Sequence, residues 1–282
     1  MIDTAIAPRK SGQTAISWTQ FTWNPFSGCS RVSEGCVNCY AEKLAFRLAA
    51  MGQETYQGLT TPRRKWSGKV KRGSLSTQRK PLGIKDGALI FVNSMSDFWH
   101  INAKDTWRAE ALEIMAATPR HTYQILTKRP ENVAPMLARM GIKRVPDNVW
   151  LGATVEDGRV AHRIPLVQRF PSAVPFLSVE PIVAPFGQQD LSGIGWVITG
   201  GESGAGARPL DPNWIRETRD LCATHGVPHF FKQWGHYRNN PLCFEQGMTH
   251  AAAALLDPLE KGGSLLDGQR HHAMPATLGP LL

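Results

Sequence analysis

A chain of 282 residues with 42% hydrophobic content is long enough to bury a substantial core, as one large domain or two small ones. No apolar run reaches the length of a membrane span, and the polar opening lacks a secretory pattern, so a cytoplasmic protein with no membrane partner is expected. A formal net charge of +9 points to polyanionic partners or phosphorylated substrates.

Residues 1–15 read as a loose N-terminal arm. The stretch from Trp18 to Trp23, aromatic and β-branched and closed by Asn24-Pro25, predicts a first strand. It leads into residues 28–40, where Cys29, Cys36 and Cys39 place three of the five cysteines at the spacing C-x6-C-x2-C. Leu44, Leu48 and Met51 then recur at helical spacing from Tyr40, and Gly52 offers a stop. The thiols therefore sit on a loop between a strand and a helix. An odd cysteine count with one tight cluster argues for metal ligation in a reducing compartment rather than for disulfides. Three local thiolates leave two arrangements open. One recruits a distant fourth ligand, with Cys222, Cys243 and several histidines available; the other is a four-iron cluster with one iron free. Soft ligands admit zinc and iron–sulfur alike. Simple packing of small apolar residues is the plainer alternative, disfavoured in a polar, glycine-rich loop.

Next comes a basic stretch. Between positions 63 and 80 lie Arg63, Arg64, Lys65, Lys69, Lys71, Arg72, Arg79 and Lys80 with no acidic residue among them, and Trp66 is interleaved. Arg63, Arg64, Lys65, Trp66, Lys69, Lys71 and Arg72 are candidate nucleic-acid contacts, the cations for the backbone and the indole for a base. A solvated connector running to about residue 86 is the competing reading.

From there a repeated grammar appears: a short apolar run, a polar or charged cluster, then a helical stretch. Strands are expected at 88–92, 122–126, 148–155, 174–179, 195–199 and 228–231. Helices are expected from Asp105 to before Pro119 and from Pro130 to Gly141. A third spans 159–170, its course obscured by Pro165, and a fourth runs from the Asp211-Pro212 start to His225-Gly226. This alternation predicts about seven parallel strands in a full or partial β/α (TIM-type) barrel, with a doubly wound open sheet as the rival. In either fold the strand C-termini form the functional face. The cysteine loop, Asp97, Lys128, Glu156, Glu180, Glu202 and Lys232 all follow strands and are expected to converge on one mouth. Residues 16–238 make up the barrel domain. Residues 239–282, with a short helix at 251–256 and a turn or edge strand at 265–268, read as a C-terminal extension packed over it.

Three thiolates after the first strand of such a barrel resemble the radical S-adenosylmethionine (SAM) superfamily. Its usual spacing is C-x3-C-x2-C; here Cys36 and Cys39 match the second half and the first interval is longer. More specifically, the chain resembles a phage- and prophage-associated family with a three-cysteine motif. The matching segments are Trp18-Thr19, Thr22-Trp23-Asn24-Pro25, the cysteine loop through Tyr40-Ala41-Glu42, and Leu126-Thr127-Lys128-Arg129-Pro130. Leu177-Ser178-Val179-Glu180-Pro181, Gly200-Gly201-Glu202-Ser203-Gly204 and Phe231-Lys232-Gln233-Trp234-Gly235 extend the match over most of residues 15–240.

The resemblance implies a radical-SAM-like barrel in which Cys29, Cys36 and Cys39 ligate a 4Fe–4S cluster. SAM would bind its open iron, and a 5′-deoxyadenosyl radical would take hydrogen from the substrate. It places Tyr40 near adenine, with ordinary packing as the alternative. The superfamily's Gly-Gly-Glu-like segment usually follows the second strand, whereas Gly200-Gly201-Glu202 follows the sixth. Ser94, Ser96 or Asp97 is therefore assigned the amino-group role, Glu156 joins the cofactor set, and Glu180 and Glu202 face ribose or substrate. Lys128, Arg129 and Lys232 would meet a carboxylate or phosphate, or else pair with Glu156, Glu180 and Glu202 to seal the mouth. Lys128, Glu180, Glu202 and Lys232 are the candidate catalytic residues. The implied function is modification or repair of a nucleic acid or nucleotide, with an electron donor protein as partner. The alternatives are a non-catalytic nucleic-acid binder with structural zinc or iron–sulfur, and a metal-free lyase or hydrolase using Lys128 and Glu180.

Overall fold

The computed structural model describes residues 12–204 and 206–276. Its elements run β1 (Phe21–Trp23), β2 (Phe26–Ser27), α1 (Tyr40–Ala50), β3 (Lys71–Arg72), α2 (Leu75–Arg79), β4 (Leu89–Val92), α3 (Asp105–Ala116), β5 (Thr122–Thr127) and α4 (Val133–Arg139). They continue with β6 (Val149–Thr154), α5 (Ile164–Val167), β7 (Pro175–Val179), β8 (Trp196–Thr199), α6 (Pro212–Thr224), β9 (His229–Phe231), α7 (Pro241–Phe244) and α8 (His250–Leu256).

Seven strands form one sheet in the order β1-β4-β5-β6-β7-β8-β9, with every neighbouring pair parallel. Each strand pairs with the next sheet strand along the chain. A doubly wound sheet needs a reversal in that order, so the rival topology does not apply. The sheet curls into a half-barrel, a partial β/α barrel rather than a closed one.

Side-chain alternation divides each strand between two environments. Ile90, Val92, Tyr123, Ile125, Leu151, Ala153, Leu177, Val179 and Val197 pack with Ala111, Leu112, Met115, Ile215 and Leu221 of α3 and α6. The opposite face lies inside the curl, where Phe91, Trp150, Phe176, Trp196, Ile198 and Phe230 form a separate cluster with Trp18. Two residues further along the inward rows the side chains become small, as at Gly152 beside Phe176 and at Ser178 beside Thr154. Beyond these stand Lys128, Glu156, Glu180 and Lys232. The half-barrel thus has an aromatic floor and a charged rim.

Local chemistry accounts for the helix starts. Asp211 caps α6 by accepting from the Asn213 amide at 2.9 Å, with Pro212 in the first turn. Pro165 resolves a doubtful stretch: residues 158–163 form a tight 3-10 segment, and Pro165 sits in the first turn of α5, where its missing N–H leaves no bond unmade.

The basic stretch has short pairings of its own. β3 pairs antiparallel with β2, and Thr60 bridges Trp66 in a tight hairpin. The tail extends the sheet past β9: Phe231 N–H donates to the His271 carbonyl at 2.6 Å, Ala273 N–H donates to the His229 carbonyl at 3.1 Å, and His272 stacks on Phe230. Met274 joins the aromatic floor from that side, and Ile16 joins it as well. Of the arm at 1–15, residues 1–11 lie outside the described residues, as do 277–282 of the C-terminal extension. Among the described residues no helix is long and apolar enough to cross a membrane.

A Cβ added at Gly152 would lie 2.6 Å from the Phe176 ring, whereas one at Gly83 would meet nothing within 4 Å. Gly152→Ala is therefore expected to lower stability by about 1–3 kcal/mol through overpacking, with Gly83→Ala nearly neutral. Urea denaturation of the two variants checks this.

A candidate site where the cysteine loop crosses the strand ends

The loop starts beside β4, where Gly28 N–H donates to the Met95 carbonyl at 3.1 Å and Gly28 bridges Ser96. From there it is bonded to one strand end after another. Arg129, after β5, donates to the Ser30 carbonyl at 2.7 Å and to its Oγ at 2.9 Å. Ser33 Oγ donates to Glu156, after β6. Asn38 Nδ2 donates to Glu202, after β8, at 2.9 Å. Tyr40 Oη donates to the Ser94 carbonyl, after β4, at 2.9 Å. Gly35 lets the loop pass close to the end of β6, because a Cβ there would stand 2.5 Å from the Glu156 side chain.

All three loop cysteines are free thiols, Cys36 buried and Cys29 and Cys39 half-buried. Each has a distinct setting. Cys36 ends a 3-10 turn, Cys39 is the N-cap of α1, and Cys29 Sγ accepts from Arg129 Nη1 at 3.7 Å. Burial pushes the Cys29 thiol up to about 12, and Asp97 adds to the effect while Arg129 opposes it. Burial also raises Cys39, against the pull of the Glu42 and Ala41 amides. Among the described residues no three His, Cys, Asp or Glu side chains are gathered as a metal-binding group. Cys222 is wholly buried in the core on α6, and Cys243 lies on α7. The donor set nevertheless suits a thiolate-bound centre: three free thiols in one loop, one beside a buried guanidinium and one at a helix N-terminus, where positive charge stabilises bound thiolates.

Around this loop the expected charged residues are present as pairs. Lys128 Nζ lies 3.2 Å from Glu156, and Lys232 Nζ lies 3.1 Å from Glu180. Glu156 also takes Arg163 at 2.9 Å. Glu202 belongs with Arg208 at 2.7 Å rather than with either lysine. Asp97 is almost completely enclosed and accepts from Arg129 at 2.8 Å, Thr127 Oγ1 at 2.7 Å, the Trp99 amide at 3.0 Å and the Lys128 amide at 3.1 Å. Its acceptor positions are thus filled by the protein itself. Ser94 Oγ is engaged with Asn24, and Ser96 Oγ donates to the Phe26 carbonyl at 2.8 Å. A cleft of about 460 Å³ opens between the loop and the end of β6, lined by Arg31, Ser33, Glu34, Glu156, Asp157 and Arg159.

Sequence reading passed over several of these partners. His100, one scattered histidine among nine, is 1% exposed, and its Nε2 lies 2.8 Å from Ser30 Oγ. Its Nδ1 accepts from the Asn102 amide, so Nε2 carries the proton, and burial followed by Arg129 pushes its pKa to about 4. Ser30, Ser33, Asn38, Arg163 and Arg208 likewise carry no local signal, because each is defined by a partner far away in sequence.

The basic stretch is divided in the structure. Arg63, Arg64 and Lys65 are exposed at the hairpin tip, and Lys69 is exposed nearby. Arg64 also lies over the Phe46 ring, 5.0 Å from its centroid. Trp66 instead packs against Ala41, Ala45 and Met95, and its amide donates to buried Glu42 at 2.7 Å. Glu42 also takes Arg31, tying the hairpin to the cysteine loop. Lys71 is turned to the Glu54 carbonyl and Arg72 to Glu110.

The family model described as "Protein of unknown function (DUF5131)" matches residues 13–275. No curated protein and no solved structure gives a match.

Breaking the buried Asp97–Arg129 pair strands a charge. Asp97→Ala is expected to cost about 3–5 kcal/mol in chemical denaturation. Burial would raise Glu156, but Lys128, Ser33 and Arg163 more than offset it; burial would raise Glu202, but Arg208 and Asn38 likewise hold it low. Carboxyls depressed in the fold contribute stability above their unfolded range and lose it as pH falls through the folded value. Stability should therefore decline below about pH 4.3, and less steeply in Glu156→Gln, as followed by thermal melts across pH.

Proposed function

Given that the chain belongs to this family of unknown function, we propose that it is a radical-SAM-like iron–sulfur enzyme that modifies or repairs a nucleic acid or nucleotide. One observation carries the reading: a loop of three free thiols is bonded across four strand ends at the mouth of a partial parallel β/α barrel. Cys29, Cys36 and Cys39 would hold a 4Fe–4S cluster, with a fourth position left for SAM. Bound there, the pair supplies reductive cleavage of the sulfonium and a 5′-deoxyadenosyl radical that abstracts hydrogen.

The chain's own residues support this in four ways. Arg129 and the start of α1 offset the negative charge of bound thiolates. Tyr40 is held by its hydroxyl while the residue stays 54% exposed, a flat side chain beside the third cysteine that suits adenine. Lys128 and Lys232 rest on Glu156 and Glu180, and each is free to exchange that partner for a carboxylate or phosphate on the ligand. Arg63, Arg64, Lys65 and Lys69 offer the exposed cations for a polyanionic substrate. Reduction requires a low-potential electron donor protein as partner.

Anaerobic reconstitution with iron and sulfide is expected to load roughly four irons per chain. With SAM and dithionite it should form 5′-deoxyadenosine. Cys36→Ala should lose most of the iron and all of that product while keeping its far-ultraviolet circular dichroism. A single tightly held zinc without SAM cleavage would instead establish a structural metal. Reversing the charge of Arg63, Arg64 and Lys65 together should weaken binding to a single-stranded oligonucleotide and flatten its salt slope by about 2 or more. Equal binding across salt concentrations would make the hairpin tip a bystander.

A further inference from the structure

We propose that the outer face of α1 is a track for an unpaired nucleic-acid strand, running from the basic hairpin to the mouth of the half-barrel. The proposal rests on the nucleic-acid part of the reading above and on nothing about a metal. The helix divides its residues between two sides. Ala41, Glu42 and Ala45 are buried, and the two alanines pack with Met95 and Trp66. On the other side Tyr40, Leu44 and the C-cap residue Met51 are 54%, 40% and 75% exposed, in one row at helical spacing. None of the three belongs to the cluster beneath the helix. An exposed apolar row of this kind marks a binding surface, and the charge beside it identifies the occupant.

Arg47 stands in the same row between Leu44 and Met51, and among the described residues its side chain has no ionic partner. Arg64 of the hairpin is seated over Phe46, the residue before Arg47, 5.0 Å from the ring centroid. Arg63 and Lys65 are exposed on either side of it. From Arg47 to Lys85 the chain has ten lysines and arginines against one acidic residue, Glu54, a balance of +9 that equals the net charge of the whole protein. The carboxylate within α1, Glu42, is turned inward to Arg31 and the Trp66 amide. A polyanion is therefore favoured along this side of the helix.

A duplex would bring phosphates to these cations but keeps its base faces stacked inside. An unpaired strand offers both, with phosphates for Arg47 and the hairpin tip and base faces for the Tyr40 ring, Leu44 and Met51. Apolar and cationic side chains alternate along the row as bases and phosphates do, rather than segregating as against a protein ridge. At helical rise the row is about 16 Å long, room for a few nucleotides. Its far end is Tyr40, whose hydroxyl donates to the Ser94 carbonyl after β4 at 2.9 Å, so the track leads to the charged rim.

The test is fluorescence anisotropy of the full chain with a fluorescein-labelled oligonucleotide, as a single strand and as its duplex, over a range of salt concentrations. The unaltered protein should prefer the single strand. Leu44→Ala/Met51→Ala removes only exposed side chains and keeps helix propensity. It should weaken single-strand binding about tenfold at every salt concentration, leaving the salt slope and duplex binding unchanged. Arg47→Gln should weaken both forms and flatten the salt slope by about 1. A double variant that binds the single strand as tightly as the unaltered protein overturns the track and leaves the hairpin contacts standing. An unaltered protein that binds polyglutamate as tightly as the single strand also overturns it, and assigns the face to an acidic protein. An unaltered protein that binds no oligonucleotide overturns both the track and the nucleic-acid reading.

Discussion

The structure depends on one geometric constraint, the two-residue alternation of side chains along parallel strands. One set of alternate positions faces the helices and is mostly apolar. The other faces into the curl and changes character along its length, from Trp150, Phe176, Trp196 and Phe230 through Gly152 and Ser178 to Glu156 and Glu180. A slip of one residue in any strand would exchange these sets, burying a carboxylate under the helices. The aromatic floor therefore fixes the register that brings the charged rim together.

The rim has its own constraint, which is that buried charge must be paired. Glu156 lies between Lys128 and Arg163, Asp97 is surrounded by donors, and Glu202 is held by Arg208. A loop carrying three thiols satisfies part of this demand, because Ser33 and Asn38 donate to two of these carboxylates. Loop and rim thus stabilise each other. The thiols themselves remain free.

The Arg129 guanidinium bridges a strand end, the loop backbone and the Cys29 sulfur, and so ties that cysteine to the sheet. Cys36 and Cys39 are held differently, by a tight turn and a helix start. The three thiols consequently differ in their surroundings although they share one short motif.

Much of this was readable from residue order. The strands at 88–92 and 122–126 and the α6 start at Asp211-Pro212 follow from apolar runs and capping chemistry, which act over a few residues. Their alternation with helices implied a parallel sheet with its charged strand ends on one side. The β2–β3 pairing, the docking of the tail on β9 and the inward lean of Trp66 were not readable, since each joins segments remote in sequence. The same holds at the site. The sequence alone determined which residues follow each strand and that three cysteines lie close along the chain. Only the tertiary structure decided that Lys128 meets Glu156, that Lys232 meets Glu180 and that Arg129 reaches Cys29, because pairing of buried charges is settled by which ends the curl of the sheet brings within a few ångströms.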